Sequence, residues 1–74
     1  MRKNRHERDM DARCNAARDA GEEWHKTNKE ALLASVWREA SARFPASPNA
    51  AFSFVEGFTQ ARAQRDAFLQ EQKQ

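Results

Sequence analysis

Half of this chain's apolar side chains are too small to build a core. Of 29 apolar residues among 74, fourteen are alanine and one is the terminal Met1. Fourteen sizeable groups remain, and ten of those are Leu, Val or Phe, with no Ile at all. A core in a domain below about 80 residues rarely supplies more than roughly 3–5 kcal/mol. The content of branched aliphatic residues and Phe borders on that of disordered chains. Five Phe, two Trp and a net charge of only +2 argue for folding instead. Both observations fit a single small domain, residues 1–74, that gains burial by self-association or by clasping a partner. Alanine abundance, two Val and the absence of Ile and Tyr also exclude most β structure and point to an all-α chain.

Three helix starts are legible. Asn4-Arg5-His6-Glu7 has capping-box spacing, in which the Asn side chain takes one orphan N–H and the Glu reaches back. Thr27-Asn28-Lys29-Glu30 repeats it ahead of Ala31-Leu32-Leu33. Ser47-Pro48 puts a hydroxyl at an N-cap and a proline where its missing N–H costs nothing. These signals predict helices over about 5–25, 28–43 and 48–71, with residues 1–4 flexible and Phe44–Pro48 as a tight connection.

The last two segments carry matched apolar stripes. Leu32, Leu33, Val36, Trp37, Ala40 and Phe44 form the first; Phe54, Val55, Phe58, Phe68 and Leu69, with Ala51 and Ala61, form the second. A short connection makes the two helices an antiparallel hairpin, held mainly by Trp37, Phe52, Phe54 and Phe58. Arg62 and Arg65 would cover its edge with their stems and reach water with their charges. Gly57, costly in a helix interior by about 1 kcal/mol, implies a close backbone approach.

The first helix reads differently. Met10, Cys14, Ala17, Gly21, Trp24 and Asn28 follow a 4-3-4-3-4 seam, with small residues at its middle and Asn28 where a coiled coil would fix its register. Either the chain breaks near Lys26–Asn28 and folds back, or one long helix presents two faces; the second capping box favours the break. The seam reads as too slight to wall the hairpin, so a homodimer is expected, through this helix or the hairpin's outer face.

Candidate chemistry is sparse. His6, Met10 and Cys14 share a helical face as soft ligands would, but neither C-x-x-C nor H-x-x-x-H accompanies them, so packing is the better reading. His25 beside Glu22 and Glu23 resembles half of an acid–base pair, without a second half or a nucleophile. The expectation is therefore no enzyme, no cofactor and no metal. No apolar run of membrane-spanning length or signal-peptide type is present, and a single Cys14 fits a cytoplasmic setting.

Two binding readings compete. Arg2, Lys3, Arg5, Arg8, Arg13 and Arg18 could track phosphates, which makes a small DNA- or RNA-binding regulator the alternative. Glu7, Asp9 and Asp11 interrupt them, however, and residues 49–54 are too apolar for a recognition helix. The aromatic surplus favours protein binding, with Trp24 and Phe52 as anchors and Arg13 and Arg18 setting electrostatic fit. Residues 47–62, with Ala50-Ala51, Gly57-Phe58 and Ala61 after a proline-containing turn, resemble the closing helix of small accessory proteins encoded by bacteriophages and prophages. That resemblance implies a non-catalytic viral protein that binds a host bacterial protein in the host cytoplasm and modulates or inhibits it. A transcription factor, a motility component or a defence component is the kind of target implied.

Overall fold

The computed structural model describes the backbone of residues 5–72 and the side chains of residues 11–72. Three helices and no strand occur among the described residues: α1 (Arg5–Thr27), α2 (Leu33–Arg43) and α3 (Pro48–Gln72). The first capping box, the flexibility expected of residues 1–4 and the His6–Met10 half of the soft-ligand face lie outside the described residues or side chains.

The start of α3 is the one the sequence announces. Ser47 Oγ accepts from the Ala50 N–H at 3.4 Å, and Pro48 is the first helical residue. The second capping box works the other way. The Asn28 amide donates to the Trp24 carbonyl at 3.0 Å, the Thr27 hydroxyl donates to the same oxygen at 3.4 Å, and the Asn28 N–H donates to the His25 carbonyl. Thr27 and Asn28 thus close the C-terminus of α1, whose last carbonyls would otherwise be orphaned. Helix α2 begins five residues later than the sequence suggests, after Leu32, an extended residue that gives no side-chain cap. Within this chain Asn28 acts as a local cap.

Helix α3 is the shared element. Its backbone approaches both α1 and α2, which do not approach each other. Arg18 pairs with Glu56, Trp24 lies against Phe54 and Phe58, and Glu30 reaches Arg65, so α1 and α3 run in the same sense. Small residues make this pairing close. A Cβ built on Gly21 would stand 2.0 Å from the Phe54 carbonyl oxygen, and one on Gly57 would stand 2.1 Å from that of Arg18. The thin seam is therefore the means of contact. Cys14, Ala17 and Gly21 repeat the spacing of Ala50, Ser53 and Gly57 on α3, and Ala17, Gly21, Ala50, Ser53 and Gly57 are all buried.

The core is small. Phe54, Phe58 and Val36 are its largest fully buried side chains, joined by Val55 and alanines, with Trp24 and Phe44 packed at its margin. From α2 only Val36 and Ala40 are buried; Arg43 lies over the Phe54 ring, its centroid 5.0 Å away, while bonded to Glu39 at 2.9 Å. The Cα envelope measures 49 × 30 × 14 Å. Its short dimension is two helices deep at the usual interaxial distance of about 8–10 Å, and among the described residues no element covers the outer side of α2.

Candidate interaction surface

Two rows of side chains at i, i+4 spacing leave α2. Val36 and Ala40 enter the core; Leu33, Trp37 and Ser41 face out. Eleven residues cannot turn a stripe that broad toward one neighbour, so half of it stays outside. Leu32, 74% exposed at the N-cap, extends the outer row, and Leu69 of α3 joins it across a cleft of about 370 Å³. At the other end Trp37 meets Phe52, ring centroids 6.1 Å apart. Trp37, Ser41, Phe44, Pro45, Pro48 and Ala51 line a second cleft of about 380 Å³. Leu32, Leu33, Trp37, Phe52 and Leu69 thus make an exposed apolar belt, interrupted at the first cleft by Lys29, Glu30, Arg62, Arg65 and Asp66.

Exposure corrects the sequence reading at five residues of the two stripes. Leu32, Leu33, Phe68 and Leu69, expected in the packed stripes, are exposed. Helix α2 starts too late to hold the first two inward, and α3 runs past the end of α1, which leaves its last turns without a neighbour. Trp37, expected to hold the hairpin, contacts Phe52 at the surface and remains 39% exposed.

The proposed partner-binding residues are not brought together. Phe52 is 57% exposed and belongs to the belt. Trp24 is half-buried, its ring 6.0 Å from Phe54 and 5.5 Å from Phe58. Arg13 is exposed on α1. Arg18 meets Glu56 at 3.2 Å and has a buried Nε with no hydrogen-bond partner, so its charge is directed into the α1–α3 contact. Of the candidate phosphate-binding set, Arg2 and Lys3 lie outside the described residues, and Arg5 and Arg8 outside the described side chains.

The connection between α1 and α2 is tied down by cations. Arg62 Nη2 donates to the carbonyls of Lys29 and Ala31, and its guanidinium lies 4.5 Å from the Phe58 ring centroid. Arg65 pairs with Glu30 at 3.3 Å. These two side chains do more than cover an edge, as the sequence suggested: loop carbonyls draw in Arg62, and the Glu30 carboxylate draws in Arg65. Beneath them His25 is buried, edge-on to Phe58 at 5.1 Å, with an unpartnered Nε2. Desolvation first, then Arg62, Arg65 and Lys29, hold the imidazole below its ordinary pKa against the opposing pull of Asp66. Glu22 and Glu23 are exposed, and Glu23 pairs with Lys26 at 3.0 Å, so the suggested acid–base arrangement around His25 does not form.

Among the described residues no group of three or more His, Cys, Asp or Glu could hold a metal ion, and no helix is long and apolar enough to cross a membrane. No protein-family model matches the chain, and neither the curated proteins nor the solved structures contain a significant match.

Proposed function

We propose that this chain is a non-catalytic binding protein of the phage accessory kind. It forms a homodimer and modulates or inhibits a host bacterial protein by covering part of its surface. The observation that carries the reading is the inverted placement of large apolar side chains. Leu32, Leu33, Trp37, Phe52, Phe68 and Leu69 are exposed, whereas only Phe54, Phe58 and Val36 among the large described side chains are fully enclosed. Large apolar side chains left exposed on one pair of helices mark an interaction site. The α2–α3 hairpin presents the belt, and the close α1–α3 pairing gives it a firm backing.

Affinity capture from a bacterial lysate, quantified by mass spectrometry, tests this reading. The wild-type chain retains one host protein in near-stoichiometric amount, and a Phe68→Asp/Leu69→Asp variant of unchanged helicity loses it. Nuclease-sensitive recovery of nucleic acid in place of a protein would overturn the reading in favour of the basic-helix alternative.

A further inference from the structure

We infer that the outer face of α2 is the homodimer interface, and that a two-fold axis beside Trp37 packs α2 antiparallel against its copy. The inference rests on the dimer in the functional reading above and assigns its surface.

Shape selects this occupant. The side chains at the centre of the face (Leu33, Ala34, Trp37 and Ser41, with Phe52 beside them) carry no charge, while Arg38 and, around the Leu32–Leu33 end, Lys29, Glu30, Arg62, Arg65 and Asp66 rim it. An uncharged centre inside a polar rim is the compositional mark of an interface, and a self-complementary shape favours a second copy as its occupant. One end of the face carries a projection, Leu32 and Leu33; the other carries the apolar cleft of about 380 Å³. Leu33 and Ser41 are separated by about 12 Å along the helix, with Trp37 midway. Reversing α2 about Trp37 therefore lays Leu33 of each copy beside Ser41 of the other and fills both clefts with leucine.

A parallel two-fold contact fails on the same features. It would set Leu33 against Leu33 and leave both clefts open. In the antiparallel arrangement the Trp37 and Phe52 rings of the two copies meet at the axis, where offset or edge-on contacts are favourable. Residue i meets j and j meets i, as an isologous interface requires. The area is adequate. From their exposures of 39% and 57%, Trp37 and Phe52 offer on the order of 200 Å² of ring, taking about 150–250 Å² for a whole aromatic side chain. The leucines, alanine, prolines and adjoining backbone extend this toward the roughly 800 Å² per partner of a standard interface.

Light scattering and paired cross-linking test the assignment. The wild-type chain gives twice its mass of 8.5 kDa at micromolar concentration. Leu33→Arg gives the single mass with unchanged helicity by circular dichroism, whereas Phe68→Asp remains dimeric. In a Cys14→Ser background, mixing Leu33→Cys chains with Ser41→Cys chains yields a mixed disulfide on mild oxidation, well above the yield from either variant alone. A wild-type mass of 8.5 kDa that persists on tenfold concentration would overturn both the dimer and its interface. A dimer that survives Leu33→Arg, or one in which Leu33→Cys chains link mainly to each other, would overturn the interface alone. Loss of host-protein capture with the dimer intact bears only on the functional proposal.

Discussion

Gly21 and Gly57 occupy reciprocal positions in the α1–α3 contact. Gly21 lies on the carbonyl of Phe54, three residues before Gly57, and Gly57 lies on the carbonyl of Arg18, three residues before Gly21. Each glycine lets the other helix's backbone come to where a side chain would stand, a geometry that also permits weak Cα–H···O contacts.

Alanine at either position sets two effects against each other. Helix propensity favours Gly→Ala by about 1 kcal/mol, but the added Cβ would fall 2.0 Å from one carbonyl oxygen or 2.1 Å from the other. Backbone cannot turn aside as a flexible side chain can. Overpacking of cores costs about 1–3 kcal/mol and the overlap here is with backbone, so Gly21→Ala and Gly57→Ala should both be net destabilising, by up to about 2 kcal/mol. Thermal melts followed by circular dichroism check this. A raised melting temperature in either variant would show that the helices do not meet here.

The phenylalanines of α3 should separate by burial. Phe58 is fully enclosed and touches Trp24 and His25, whereas Phe68 is 58% exposed. Phe58→Ala should cost about 3–5 kcal/mol, the range for a buried aromatic truncation. Phe68→Ala should change stability by no more than about 0.5 kcal/mol, as at an ordinary surface site. Urea titrations of the two variants decide it, and similar losses from both would contradict the burial pattern.

What could be read from the sequence follows from how local each signal is. Ser47-Pro48 fixes the start of α3 because proline at N1 admits one geometry, and Gly57 signals a close approach because its helix cost needs a reason. Thr27 and Asn28 admit two roles. Their side chains can serve N–H groups ahead or carbonyls behind, and the choice falls to the chain's path across α3. The α1 seam is hard to read by apolar volume, because close backbone approach needs the lack of it. Phe52 makes the belt partly legible. For Leu33 and Trp37 the signal is excess width, because a stripe that broad on a short helix cannot all face one neighbour.

Arg62 should resist conservative replacement. One guanidinium both stacks on Phe58 and serves two loop carbonyls, of Lys29 and Ala31, which a planar fork can do and an ammonium cannot. Hydrogen bonds from charged groups contribute about 1.5–3 kcal/mol when sheltered, and partial exposure brings the expected loss in Arg62→Lys to about 1–2 kcal/mol. The loss should be concentrated between residues 28 and 32. Amide hydrogen exchange there should accelerate more than in the α1–α3 contact; uniform acceleration would mean that Arg62 contributes only general packing.

His25 should make stability fall as the solution is acidified. Its folded-state pKa lies below the ordinary value of 6.5, chiefly through desolvation and then through Arg62, Arg65 and Lys29, with Asp66 opposing. The unfolded chain therefore takes up a proton at higher pH than the folded one. Where the unfolded state binds more protons, stability rises with pH. The contribution is thus complete above about pH 6.5, declines as pH falls through that value toward the lower folded pKa, and levels off below it. Carboxylates titrate mostly below this window, but His25→Leu provides the cleaner comparison. Urea midpoints from about pH 8 to about pH 5.5 should drop for the wild-type chain and change much less for His25→Leu. Parallel profiles for the two proteins, or a wild-type midpoint that rises on acidification, would contradict a neutral, buried His25 beneath the Arg62 tie.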